Sequence, residues 1–369
     1  MQIPLSRPDL TEREALAAAE VVRSGQLSLG PKVEQFEQSV ASFCGIRHAV
    51  AVNSGTSGLH LCLRAVGFGR DDEMITTPFS FIATANCAMF DGGRPVFVDI
   101  DPDTWNIDPA GIEAAVTPRT RVLMPVHVFG QVCRMAPILE IAERRGLTVI
   151  EDSCEALGAR WRGRAAGTLG RAGCFGFYPN KQVCVGEGGM IVTDDDDLAA
   201  LCRSMRNQGR GVSLAWLDHE RLGYNYRLSD VACAIGAVQM SRIEELLARR
   251  TAVAQMYVDR LGGDERLVLQ QIDPEVEMSW FVFVVRLADR YTAADRDRII
   301  AALSAAGIGC KNYFAPLHLQ THLAEAFGYK RGDFPVCEAL SDRSIALPFY
   351  GQLTEAEVDA VCTELRRLL

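Results

Sequence analysis

Short apolar runs alternate with amphipathic stretches over residues 47–194 of the 369-residue chain. The apolar runs are rich in β-branched residues and have the length of strands; they cover residues 48–53, 73–77, 95–100, 122–128, 148–152, 173–178 and 189–193. The stretches between them, such as 57–66, 81–90 and 136–145, have the apolar spacing of helices. This alternation predicts a mostly parallel sheet covered by helices on both faces, with a ligand at the carboxyl ends of the strands.

The pattern changes in the last third of the chain. Residues 228–261 predict a long helical region, which is followed by a strand-like run at 280–287, a helix at 293–306 and a closing helix from Glu355. A chain of this length exceeds what one hydrophobic core usually serves. We therefore predict an α/β protein with a large three-layer α/β/α domain over residues 1–245 and a smaller C-terminal α+β domain over residues 246–369.

Composition narrows the classes of partner. The formal net charge is −9, which opposes binding to nucleic acid or to an anionic membrane surface. No apolar run has membrane-spanning length, and the first residues lack the pattern of a secretory leader, so we expect a cytoplasmic protein. The 12 cysteines are scattered without a C-x-x-C pair, which indicates buried, reduced thiols rather than disulfides or a metal site.

A small, polar segment at residues 53–59 follows a predicted strand and opens a predicted helix. Glycine at position 55 allows the backbone to approach a ligand, and the free N–H groups of a helix start favour phosphate. Taken alone, the segment is more typical of a strand–helix turn that is small and polar for geometric reasons only.

Two acidic residues end the apolar run at 148–152. They are compatible with a solvated turn that caps a helix. The functional interpretation is that Asp152 is buried and paired with a cation. A pyridinium nitrogen is such a cation, and a carboxylate beside it keeps the ring protonated and electron-withdrawing.

A lysine stands between an apolar strand and a glycine-rich turn. Lys181 follows the run at 173–178 and precedes the glycines of residues 186–189. A lone lysine is normally a surface residue, but at the end of a buried strand its side chain can point into a cleft. A desolvated lysine has a lowered pKa and can attack an aldehyde.

In this order and spacing, the three segments resemble the DegT/DnrJ/EryC1/StrS family of pyridoxal-phosphate-dependent nucleotide-sugar aminotransferases. The resemblance covers nearly the whole chain and includes residues 24–31, 77–84, 223–229 and 316–318. It implies fold type I of the pyridoxal-phosphate-dependent transferases, that of aspartate aminotransferase. It also implies a homodimer with shared active sites.

The resemblance implies a role for each matching residue. Lys181 holds the cofactor covalently, and members that are dehydratases have histidine there, so lysine favours transamination. The remaining cofactor contacts are Phe81 stacking on the ring, Asp152 at the pyridinium nitrogen, Glu155 near the phenolic oxygen, and Gly55, Thr56 and the neighbouring subunit's Asn225 at the phosphate. For Asn225 the alternative is a cap on the helix that begins near Ser229. The family usually has a serine five residues before the lysine, where this chain has Gly176.

Lys311, Tyr313 and His318 match positions that bind the nucleotide-sugar in the family, although Tyr313 also suits ordinary strand packing. The implied reaction transfers an amino group from an amino acid, by resemblance L-glutamate, to a nucleotide-linked keto-sugar for polysaccharide or secondary-metabolite biosynthesis. Residues 224–227 together with Glu155 favour amination at C-4. The alternatives are a dehydrating or aromatizing relative and a non-catalytic regulator that binds pyridoxal phosphate. A dinucleotide oxidoreductase is disfavoured because no strand is followed by G-x-G-x-x-G.

Overall fold

The computed structural model describes residues 2–211 and 218–369. Its strands are β1 (His48–Val52), β2 (Glu73–Thr76), β3 (Arg94–Phe97), β4 (Thr120–Leu123), β5 (Thr148–Asp152), β6 (Arg160–Trp161), β7 (Arg164–Ala165), β8 (Ala172–Gly176), β9 (Gly189–Thr193), β10 (Leu267–Leu269), β11 (Val276–Glu277), β12 (Phe283–Leu287) and β13 (Ser344–Leu347). Seven of them form one sheet in the order β1-β9-β8-β5-β4-β2-β3. Only β9 is antiparallel to its neighbours in this sheet, so the predicted mostly parallel sheet is confirmed.

The helices are α1 (Glu12–Ser24), α2 (Pro31–Cys44), α3 (Gly55–Ala65), α4 (Ala83–Met89), α5 (Pro109–Ala115), α6 (Met135–Arg145), α7 (Asp196–Arg206), α8 (Asp230–Met240), α9 (Ile243–Leu261), α10 (Ala293–Ala305), α11 (Thr321–Phe327), α12 (Pro335–Arg343) and α13 (Glu355–Leu368). Two 3₁₀ turns lie at Val128–Gly130 and Leu317–Leu319. Polar residues start many of these helices. Thr11 and Thr354, for example, each form a capping box with the glutamate three residues later.

The predicted helical region 228–261 is two helices rather than one. The chain leaves helical geometry between α8 and α9, where Arg242 has φ −118° and ψ 10°. The buried Arg242 guanidinium pairs there with Asp9 and Glu14, at 3.0 Å each. These ion pairs reach into the segment around α1, a tertiary requirement that helical periodicity does not reveal.

A second hydrophobic core surrounds the three-stranded sheet β10-β12-β13. It includes Ile3 from the start of the chain and Val253 and Tyr257 from α9. The first turns of α9 contribute Ile243 and Leu246 to a core cluster of the large sheet instead. Helix α9 therefore passes from one core to the other. The predicted boundary between residues 245 and 246 falls inside it, and this division stays a prediction.

Candidate active site

A cavity of about 450 Å³ opens at the carboxyl edge of the large sheet. Its walls come from the segments that follow β1, β2, β4, β5 and β8, and from Gly188, which precedes the antiparallel β9 at the same edge. The region after α9 closes the cavity with Phe281, Tyr313 and Phe314. A cavity at this edge is where a parallel sheet places a ligand.

Asp152 ends β5 and faces this cavity with only 5% of its surface exposed. The Thr84 hydroxyl donates to its Oδ2 atom at 2.7 Å, and the Cys154 N–H lies 3.2 Å from Oδ1. Since Thr84 gives its proton to Asp152, Ser80 is the donor in the 2.8 Å bond between the two hydroxyls. These donors hold the carboxylate in place, and it can still pair with a cation in the cavity.

Lys181 lies in the turn after β8, and its Nζ atom is 3.7 Å from Oε1 of Glu155. The same Nζ atom is 3.8 Å from the centre of the Phe281 ring. Burial raises the pKa of Glu155, although the nearby Lys181 and the N–H of Phe129, 2.9 Å from Oε2, oppose the rise. The amine thus has a neighbouring carboxyl whose protonated form burial favours, so that a proton can pass between the two groups.

The start of α3 forms the wall opposite these groups. Ser54 caps the helix by accepting from the N–H of Ser57, and Gly55 and Thr56 form its first turn. A Cβ atom on Gly55 would lie 2.7 Å from Sγ of Cys154, so a side chain does not fit without displacement. Gly176 differs, because a Cβ atom there would meet Cys154 at 3.4 Å or more.

These residues fit pyridoxal phosphate. The helix start suits its phosphate, the Asp152 carboxylate its pyridinium nitrogen, and the Lys181 amine its aldehyde. Phe81 lines the same cavity and is 62% exposed, so an aromatic face is open to a flat ring. The structure therefore brings together Lys181, Asp152, Glu155, Phe81 and the segment Gly55–Thr56, all of which the sequence singled out.

Asn225 does not line this cavity. Its side chain is exposed, and its backbone oxygen accepts from Asn53 at 3.4 Å. Helix α8 is capped by Ser229 itself, which accepts from the N–H of Ala232. The alternative that Asn225 caps this helix is therefore wrong.

Among the three expected substrate residues, Tyr313 lines the cavity and the other two do not. Lys311 is exposed, and its backbone pairs with Ala346. His318 is fully buried, with Nε2 2.9 Å from Oε1 of Glu338. Neither Lys311 nor His318 lines this cavity, and their contact with a substrate stays a prediction. A sequence motif gives the position of a residue along the chain but not the direction of its side chain.

Sequence reasoning missed two residues of the site. Phe281 lies in an apolar run that predicted only a strand, and nothing in the run marks the residue that faces the lysine. Thr84 is a buried polar residue at the start of α4. It lies within the segment 77–84 that resembles the family, and this location is the signal that could have identified it. The 12 cysteines are free and, except for Cys154, buried, as expected.

Over residues 2–211 and 218–369, no helix combines the length and apolar character needed to cross a membrane. In the same part of the chain, no three His, Cys, Asp or Glu side chains are grouped as metal ligands would be.

Comparison with known proteins places this site in context. The model of the DegT/DnrJ/EryC1/StrS aminotransferase family matches residues 8–366. GDP-perosamine synthase of Caulobacter vibrioides is 41% identical over 350 residues, which cover 93% of this chain and 91% of that protein. The spore coat polysaccharide biosynthesis protein SpsC of Bacillus subtilis is 37% identical over 378 residues, covering 100% of this chain and 97% of the relative.

Among solved structures, DesV of S. venezuelae in complex with a ketimine intermediate superposes with a TM-score of 0.90. It is 34% identical, and the match covers 98% of each chain. The predicted fold type of pyridoxal-phosphate-dependent transferases is thereby confirmed.

Proposed function

Because the chain belongs to the DegT/DnrJ/EryC1/StrS aminotransferase family, we propose that it moves an amino group from L-glutamate to C-4 of a nucleotide-linked keto-sugar. Membership of this family assigns the type of reaction and the cofactor. The chain is a pyridoxal-phosphate-dependent sugar aminotransferase. The donor, the nucleotide and the position of amination are the proposed part.

The observation that carries the proposal is the Lys181 amine, within 3.7 Å of the Glu155 carboxyl in the cavity that Asp152 also lines. Amine transfer needs a group that takes a proton from one carbon and returns it to another. The flexible side chain of Lys181 can perform both steps, and Glu155 can hold a proton between them. Asp152 keeps a positive charge at a ring nitrogen, because its carboxylate is fixed by Thr84.

Pyridoxal phosphate, when bound, supplies the aldehyde that accepts the amino group and the ring that withdraws electrons. The chain supplies the other parts of the reaction. Phe81 offers a face to the ring, the start of α3 binds the phosphate, and Tyr313 and Phe314 add two aromatic rings to the cavity wall.

The choice of sugar substrate has two supports. GDP-perosamine synthase carries a GDP-linked sugar in its name, and it matches 93% of this chain. Residues 224–227 together with Glu155 resemble relatives that aminate C-4. A GDP-linked 4-keto-6-deoxyhexose is therefore the first substrate to test.

The test is a screen of GDP-, UDP- and dTDP-linked 3-keto and 4-keto sugars with L-glutamate. We expect a product with nitrogen at C-4, identified by NMR, and one equivalent of 2-oxoglutarate. Lys181→Ala serves as the control and forms no product. A product that has lost water and gained no nitrogen would instead support the dehydrating alternative.

We also propose a homodimer in which the exposed Asn225 reaches the phosphate site of the second subunit. The support is that Asn225 neither lines the cavity of its own chain nor caps α8. In residues 2–211 and 218–369, Lys181 is the one cation that lines the cavity. Further polar contacts from a second subunit would complete a site for a phosphorylated cofactor and a diphosphate substrate.

A further inference from the structure

Arg250 occupies an unusual place on α9. It lies between Leu246, which packs in a core cluster of the large sheet, and Val253, which packs in the second core. Only 5% of its surface is exposed. Burial lowers the pKa of Arg250 to about 10, yet in the described part of the chain no carboxylate is within ion-pair distance of it. A buried cation without a counter-ion is costly, so its other contacts must compensate.

Besides the Phe349 ring, 5.7 Å from the guanidinium carbon, these contacts are three backbone carbonyls. The Nη2 atom of Arg250 donates to the oxygen of Lys181 at 2.8 Å and to that of Asn180 at 3.2 Å. The Nη1 atom donates to the oxygen of Phe281 at 3.1 Å. The guanidinium therefore joins the lysine turn to the residue whose ring lies against the lysine amine. The fork of an arginine reaches these acceptors from two separate nitrogens, whereas a lysine has its three donors on one.

Gln182 fixes the other side of the same turn. Its buried amide nitrogen donates to the backbone oxygen of Glu155 at 2.6 Å, and to the backbone oxygen and hydroxyl of Ser279 at 3.0 and 3.1 Å. The turn is thus bound to Glu155 and to the segment 279–281 at once. The positions of the amine, the carboxyl and the Phe281 ring depend on one network.

We propose that Arg250 is a positioning residue for Lys181. It holds the main chain of the lysine turn against Phe281, so that the amine stays within reach of the cofactor aldehyde. Because α9 passes between both cores, Arg250 also ties the lysine to the part of the chain that closes the cavity. The inference rests on the proposed role of Lys181 as the residue that binds the cofactor covalently.

The test compares two ligands on the full-length chain after removal of the cofactor. Pyridoxal phosphate forms a bond from its aldehyde carbon to Nζ of Lys181 and releases the aldehyde oxygen as water. 4-Deoxypyridoxine phosphate lacks the aldehyde, so its affinity reports the phosphate and ring contacts alone.

The variants are Arg250→Met and Arg250→Lys. Arg249→Met is the matched control, because Arg249 is the preceding residue of α9 and forms ion pairs with Asp9 and Glu245 instead of bonds to the lysine turn.

In Arg250→Met we expect the visible absorbance of the bound aldehyde to develop about tenfold more slowly, as loss of bonds to a charged donor implies. The affinity for 4-deoxypyridoxine phosphate should change less than about twofold. Arg250→Lys keeps the charge but cannot reach three carbonyls, so it should be slowed to a smaller extent. The control should match the parent chain in both measurements.

Hydrogen exchange on the cofactor-loaded protein gives a second readout. The N–H groups of Lys181 and Val185, which bond to Tyr178 and Phe177, should exchange about tenfold faster in Arg250→Met, while those of β5 should not change. Equal loss of both ligands, or faster exchange throughout the chain, would show a merely structural role and overturn the inference. Unchanged rates of absorbance development in Arg250→Met and Arg250→Lys would also overturn it. Borohydride labelling of a lysine other than Lys181 would instead overturn the proposed cofactor attachment.

Discussion

At the scale of single residues, the Asp152 carboxylate is held in position by groups of its own chain. The hydroxyl of Thr84 and the N–H of Cys154 both donate to this side chain, and an ionised carboxylate accepts both bonds. Such an arrangement favours a positive charge nearby. The chemistry of the site therefore depends on the charge of this side chain and not only on its shape.

Asp152→Asn should fold but lose most of its half-reaction with glutamate, because an amide cannot hold the proton of a pyridinium. We expect a loss on the order of a hundredfold or more, typical of a misplaced catalytic charge. Stopped-flow absorbance measures the half-reaction, with the exposed Asp71→Asn as control. Activity within twofold of the parent chain would remove Asp152 from the site.

Gly176→Ser should be tolerated and should leave cofactor affinity equal or higher. A Cβ atom at this position meets Cys154 only at ordinary contact distances, and the added hydroxyl can bond to phosphate. A hydrogen bond to a charged group contributes about 1.5–3 kcal/mol. Equilibrium dialysis tests the expectation. Markedly weaker binding would mean that Gly176 is needed for space or backbone freedom.

At the residue level, strand ends predicted which side chains share the cavity, while their roles in the reaction stay predictions. Asp152 ends β5 and Lys181 follows β8, and the edge of a parallel sheet brings such residues together. Phe281 and Arg250 could not be found in this way, because their contacts join segments about 70 to 100 residues apart without a local pattern. The role of His318 stays a prediction, because its motif gave a position but not the direction of the side chain, which lies buried against Glu338.

At the scale of elements, the first turn of α3 packs closely against Cys154 because Gly55 has no side chain. Gly55→Ala would place a methyl group 2.7 Å from Sγ of Cys154 and so displace the helix start. We expect cofactor affinity to fall about tenfold, as is typical when contacts to a charged group are lost. Fluorescence titration measures it.

Cys154→Ala in the same chain should restore most of that affinity by removing the clash. Gly69→Ala is the control, because nothing lies within 4 Å of a Cβ atom there. Unchanged affinity in Gly55→Ala would mean that the helix start does not bind the phosphate.

The strands of the large sheet were predicted almost to their ends because each is an apolar run bounded by polar turns. β5 and β9 match their predicted ranges, while β4 ends five residues earlier than expected, at Leu123. The apolar residues after Leu123 are buried in irregular backbone beside the site, and burial alone does not distinguish them from a strand. Pairs as short as β6 and β7 have no periodicity to detect.

At the scale of the whole molecule, the proposed sharing of sites between subunits can be tested by mixing variants. Lys181→Ala and Asn225→Ala should each be nearly inactive alone. In a mixed dimer one site has both the intact lysine and the intact asparagine, so random exchange should return roughly a quarter of the parent activity. If Asn225 acts in its own subunit, each site keeps one defect and no activity returns. Mixing Lys181→Ala with itself is the blank.

The burial of Ile3 has a consequence for the order of events during synthesis. Ile3 bonds to Gly307 and Gly309 through its backbone and packs in a core that is completed by residues as late as Leu365. At translation rates of about 5–20 residues per second, Ile3 waits roughly 15–60 s for its partners to emerge from the ribosome. The large sheet can form during that time, whereas the second core closes only when translation is nearly finished. A full-length chain diluted from denaturant has no such delay, so its refolding can join Ile3 to its partners by a route that the nascent chain does not have.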